Sequence, residues 1–135
     1  MSTAGLEILN LHAQGGMAEV YRARAVDEQN HVWYYAVKRM LPELLKEPEM
    51  MRMFIEEQRV AACLVHDNIV RVYDVAQADT SDTFIVMEFL EGRDLSEVID
   101  AADAKKRTLP VWFCIQVARE VLKALHYAMT QAKDK

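Results

Sequence analysis

At 135 residues, 52% hydrophobic and 27% charged, the chain has the composition of one modest globular domain with a core of its own, which excludes a disordered segment. A net charge of −5 argues against nucleic acid or an anionic membrane as the main partner, because both reward basic surfaces. No run of about 20 apolar residues exists to span a bilayer, and Met1-Ser2-Thr3-Ala4-Gly5 lacks the basic and apolar regions of a secretion signal, so a cytoplasmic location is expected.

Leu6 to Leu11 predicts a short strand. It leads into Ala13-Gln14-Gly15-Gly16-Met17-Ala18, which holds the chain's adjacent glycine pair and marks a tight turn or a close backbone approach. Glu19 to Ala25 alternates again, so a hairpin with glycine at its tip is expected. Asp27-Glu28-Gln29-Asn30 is a polar turn before the strand Val32-Trp33-Tyr34-Tyr35-Ala36-Val37-Lys38-Arg39. Period-two alternation puts Val32, Tyr34, Ala36 and Lys38 on one strand face, apolar until the lysine. A buried ammonium is costly unless it has an anionic partner.

Pro42 and Pro48 punctuate a linker, and from Glu49 to Leu64 the period becomes helical. Met50, Phe54, Ala61 and Leu64 form one stripe, and Glu57 falls inside it, which makes Glu57 the candidate partner of Lys38. The alternative places Glu57 at the rim of the face, in solvent. His66-Asp67-Asn68 ends the helix, Ile69 to Val75 reads as a strand, and Gln77 to Asp82 as a polar turn. Thr83 to Phe89 is the fifth strand. A link at 91–94 enters a short helix from Leu95 to about Ala104, and Lys105-Lys106-Arg107 is a solvated basic tip. Leu109-Pro110 opens a last helix to about Ala132, proline suiting a first turn. Short links between strands favour an antiparallel sheet. Cys63 and Cys114 lie in helical segments and are expected to be buried, reduced thiols.

Four pieces in this order resemble the amino-terminal lobe of a bacterial eukaryotic-like serine/threonine protein kinase. Ala13-x-Gly15-x-x-Ala18-x-Val20 is similar to the glycine-rich loop G-x-G-x-x-G-x-V, and Tyr35-Ala36-Val37-Lys38 to V-A-I-K. Glu57, nine residues before His66, matches the glutamate of the helix that the family calls αC. Val86-Met87-Glu88-Phe89-Leu90-Glu91-Gly92 is similar to the hinge between kinase lobes. The resemblance implies an α+β fold: a five-stranded antiparallel sheet with αC over 1–90, then the hinge exit and two helices (αD and αE) over 91–135, the start of a second lobe. It implies that Lys38 contacts the α- and β-phosphates of ATP while paired with Glu57. The loop at Gly15 and Gly16 would lie over the phosphates, Val20 and Ala36 would enclose the adenine, and Met87 would stand at the back of the pocket. Backbone groups of Glu88 and Leu90 would meet the adenine edge, and Asp94 the ribose hydroxyls. No metal-binding residue is assigned within the chain.

The pattern has departures. Ala13 and Ala18 replace two loop glycines, adding methyls near the phosphate path, and His12 stands where the family covers the adenine with an apolar residue and is expected at the strand edge. The 135 residues contain neither H-R-D-x-x-x-x-N nor D-F-G. Magnesium is therefore expected only where the remainder of a kinase domain supplies its ligands, and the chain alone is not expected to transfer phosphate. The final helix carries two apolar stripes, Val111, Ile115, Ala118, Leu122, Leu125, Met129 and Phe113, Val117, Val121, Ala124, Ala128. Such a helix needs covering, by a protein partner or a second copy. Two functions follow: the ATP-binding portion of a serine/threonine kinase, or a non-catalytic interaction module that works through this helix.

Overall fold

A computed structural model of the chain describes residues 5–77 and 83–131. The elements are β1 (Glu7–Gln14), β2 (Ala18–Val26), β3 (Val32–Met40), α1 (Pro48–Ala62), β4 (Val72–Gln77), β5 (Thr83–Glu88), α2 (Leu95–Ala104) and α3 (Val111–Gln131), with a short 3-10 turn at Leu44–Lys46. The strands form one sheet in the order β1-β2-β3-β5-β4, and each neighbouring pair is antiparallel. The expected element order and antiparallel sheet are both present.

Local chemistry accounts for the shifted boundaries. β1 continues to Gln14, so the hairpin narrows to a tip at 15–17. The strand expected from Ile69 begins only at Val72, because the amide of Ile69 donates to the His66 carbonyl and closes a turn. The turn expected at 77–82 lies mostly outside the described residues; Gln77 itself ends β4. In the β2–β3 turn, Asn30 takes a left-handed φ of 63°, a conformation that asparagine tolerates. The Asp27 carboxylate organises that turn by accepting from the Trp33 indole N–H at 3.0 Å and the His31 amide at 2.8 Å. The indole bond, chiefly, holds the Asp27 carboxyl below the usual carboxylate range.

The described residues divide into two compact units, one comprising the strands and α1 (to residue 65 and 70–89), the other comprising 66–69 with the chain from 90 onward. The core of the first is Met40, Phe54 and Ile85, each under 2% exposed, with Ala18 beside them. Leu44, Leu45, Met50, Met51, Val72 and Val75 pack around it. α1 therefore covers the sheet where β3 ends. Val32 and Tyr34, on the same strand face as Lys38, remain 47% and 45% exposed, so the apolar face is buried only from Ala36 onward. On the opposite face Ala23, Tyr35, Val37 and Val86 are buried, and Tyr35 meets the ring of Tyr73 edge-on at 5.8 Å.

In the second unit Asn68 Nδ2 donates to the Glu120 carbonyl at 2.9 Å and to Glu120 Oε2 at 2.7 Å, which ties the 66–69 segment to α3. Both cysteines are exposed, contrary to the expectation of burial. Cys63 is the C-cap of α1, one residue beyond the helix, and Cys114 lies on the outward side of α3.

Candidate functional site

Residues directly opposite each other in an antiparallel ladder share a face. Lys38 lies opposite Val20 on β2 and Ile85 on β5, and Ala36 lies opposite Arg22 and Met87. The register thus puts Val20, Ala36, Lys38 and Met87, four of the predicted site residues, on the same side of three adjacent strands. This is also the side that receives Phe54.

Lys38 Nζ lies 3.9 Å from Glu57 Oε1 and 5.4 Å from the centroid of the Phe54 ring. The lysine side chain is 26% exposed and that of Glu57 is 68% exposed. Solvent screens such a pair, so its contribution to stability is under ~1 kcal/mol, and its value lies in orientation. The phenyl face adds a cation–π attraction of roughly 0.5–2 kcal/mol at a partly desolvated ammonium.

Glu57 does not sit in the middle of a buried stripe. The buried positions of α1 are Phe54 and Gln58, one helical turn apart, which leaves Glu57 on the rim. From the rim it still reaches Lys38. Its carboxylate faces Lys38 on the central strand β3 on one side and water on the other. Gln58 is 6% exposed, and its Nε2 donates to Glu57 Oε1 at 3.3 Å. Its position four residues after Phe54 is compatible with burial but does not by itself select it over Glu57.

At the hairpin tip the amide of Gly15 donates to the Ala18 carbonyl at 2.9 Å, and Leu41 N–H donates to the Met17 carbonyl at 3.1 Å. A Cβ built on Gly15 would lie 3.6 Å from that Ala18 oxygen, and one on Gly16 would meet nothing within 4 Å. The tip is open on its outer side. Ala18 turns its methyl into the core beside Met40 and is only 5% exposed, whereas Ala13 is exposed. The alanine at 18 therefore fills space inside the sheet and adds no bulk at the tip.

At the end of β5 the amide of Glu88 donates to the Arg71 carbonyl at 2.9 Å. Phe89 follows. The Arg22 guanidinium carbon lies 4.9 Å from the Phe89 ring centroid and 4.3 Å from that of Tyr34. His12, expected at an edge, is exposed there, and its ring also meets Phe89 edge-on at 5.2 Å. Sequence reading did not find the Arg22 and Phe54 contacts, because they depend on strand register and helix placement.

The remaining predicted residues lie in the second unit. Leu90 is 57% exposed. Asp94 is the N-cap of α2: its Oδ1 accepts from the Glu97 amide at 2.8 Å, while its own amide donates to Glu97 Oε2 at 3.2 Å. This reciprocal box was legible as Asp-x-x-Glu ahead of an apolar run.

The sequence model of the protein kinase domain matches residues 8–132. The chain is 34% identical over 116 residues to the tyrosine-protein kinase MasK of Myxococcus xanthus, covering 86% of this chain and 18% of that protein. It is 32% identical over 124 residues to the serine/threonine-protein kinase PksC of Streptomyces coelicolor, covering 88% of this chain and 21% of that protein. Among solved structures, the PknI kinase domain of Mycobacterium tuberculosis superposes with a TM-score of 0.72 at 28% identity, covering 95% of this chain and 49% of that one. The chain thus spans about a fifth of the length of these curated relatives and about half of the solved kinase domain.

Proposed function

The chain belongs to the protein kinase domain family, and on that premise we propose that it is the ATP-binding portion of a serine/threonine protein kinase. The observation that carries this reading is the pairing of Lys38 with Glu57 at 3.9 Å on the sheet face that also holds Val20, Ala36 and Met87. A partly exposed ammonium held beside an apolar floor suits a nucleotide, with charge at one end and a flat ring at the other.

In this reading Lys38 binds the α- and β-phosphates, and Glu57 keeps its ammonium from turning to solvent. Val20 and Ala36, on one side of the sheet, cover one face of the adenine, and Met87 closes the rear. The amide of Glu88 is committed to Arg71, so Glu88 offers the purine its carbonyl, which accepts from the exocyclic amine. On the resemblance to the family alone, the Leu90 backbone is assigned the neighbouring edge of the ring and Asp94 the ribose hydroxyls. Gly15 spends its amide within the hairpin, so Gly16 at the open tip is the better phosphate donor.

Magnesium fits less well. No group of three His, Cys, Asp or Glu side chains that could hold a metal occurs among the described residues. The residues of this chain bind and orient a nucleotide; transfer to a hydroxyl needs a base and metal ligands that the 135 residues do not contain. We place this activity in the cytoplasm; no helix among the described residues is long and apolar enough to cross a membrane.

Calorimetric titration with ATP tests the reading. Binding is expected, weakened at least about tenfold in Lys38→Ala, as for loss of a charged hydrogen bond. The same chain should transfer no labelled phosphate to a protein substrate.

A second reading is favoured by α3, where Val111, Ile115, Leu122, Leu125 and Met129 are each more than half exposed. In it, the chain is a non-catalytic module that covers this stripe with a protein partner or a second copy. Absence of adenine-nucleotide binding, together with concentration-dependent association, selects this reading over the first.

A further inference from the structure

A buried amide side chain is costly unless its polar atoms are hydrogen-bonded. Gln58 is the polar side chain of this kind in the core of the first unit, at 6% exposure, on the helix face otherwise occupied by Phe54. Its Nε2 reaches sideways to Glu57 Oε1, the very oxygen that Lys38 approaches. Of the two donors, the glutamine is nearer, at 3.3 Å against 3.9 Å.

The exposure of the three residues gives this contact its meaning. Glu57 is 68% exposed, so solvent reaches most of its side chain. An exposed glutamate attracted to a lysine across solvent samples many rotamers, and ordering it costs entropy comparable to what the pair returns. Gln58 is packed, so its amide is already ordered. A hydrogen bond from an ordered donor to a charged acceptor adds only the acceptor's share of the ordering cost and is stronger than a neutral one.

We propose that Gln58 is a positioning residue: it tethers the Glu57 carboxylate from the buried side of α1 and so holds it within reach of Lys38. It touches no substrate and acts only through Glu57. The proposal deepens the nucleotide-site reading and rests on it for its effect on binding. The tether itself is a property of the free chain.

Two measurements test it. The first is a double-mutant cycle on ATP affinity with Gln58→Met, which keeps the side chain's length and removes its donor, in the wild-type and Glu57→Ala backgrounds. We expect Gln58→Met to weaken ATP binding by roughly 3–10-fold in the wild type, the range for one ordinary net hydrogen bond acting through Glu57, and by less than about 1.5-fold when Glu57 is already absent. A purely structural role would give equal losses in both backgrounds, and that result, or no loss in either, overturns the proposal. The second measurement needs no nucleotide. Three-bond couplings across χ1 of Glu57, measured by NMR, should report one dominant rotamer in the wild type and averaging in Gln58→Met. Averaging already in the wild type would refute the tether even if ATP binds. If the couplings change as expected while neither protein binds ATP, the tether stands and the nucleotide reading fails.

Discussion

Lys38 has neighbours of opposite character, a carboxylate in solvent and a phenyl ring in the core. The ring is fixed by packing in the core, whereas the carboxylate has solvent on its outer side and depends on its polar contacts for its place. Glu120 shows the reverse case of a surface carboxylate that is closely held. Asn68 donates to it most strongly, and Lys123 and Arg119 add to the effect, which lowers its carboxyl to about 2. A carboxyl depressed in the folded state adds stability that is complete above its unfolded value and is lost as pH falls toward its folded value. That window runs from about 4.5 down to about 2. Thermal melts of the wild type and Glu120→Gln should therefore differ at pH 6, and the gap should close as pH is lowered toward 2. A gap that does not change with pH would show that the charge is not what Asn68 recognises.

At the scale of elements, α1 joins core and site. Phe54 packs against Met40 and Ile85 and also lies under the lysine ammonium. Truncation to Phe54→Ala should cost about 3–5 kcal/mol in urea denaturation, from lost burial and the cavity left behind. Phe54→Leu, which keeps most of the volume, should cost far less. Equal losses for the two would mean that volume is not the determinant. The helix was legible from its 3.6 period, its proline start and its end before His66. Which of its residues were buried was less so. Glu57 and Gln58 are adjacent, and a stripe drawn through Met50, Phe54 and Ala61 passes between them. Only the direction from which the sheet meets the helix selects Gln58 for the core and leaves Glu57 at the rim. In the same way Ala36 and Lys38 were placed on one strand face by alternation alone. That Val20 and Met87 join them depends on the registers of β2 and β5, which are long-range facts.

At the scale of the whole chain, α3 carries a long exposed apolar stripe among the described residues. Its side bearing Phe113, Val117, Ala124 and Ala128 is half-buried, and its other side is open. An exposed stripe of this length predicts association. Light scattering of these 135 residues should show oligomers growing in over tens of micromolar, and Leu122→Asp with Leu125→Asp should shift them to monomer. A monodisperse wild-type monomer would count against that role. The sequence by itself determined the order of the elements, the antiparallel sheet, the glycine tip and the identity of the lysine and the glutamate, because these follow from periodicity, turn chemistry and spacing within short windows. The tertiary structure decided how deep each of them sits. It left Glu57 in solvent, Gln58 in the core, Ala18 facing inward, and both cysteines outside. Burial depends on what another part of the chain brings against a residue, and no local pattern contains that information.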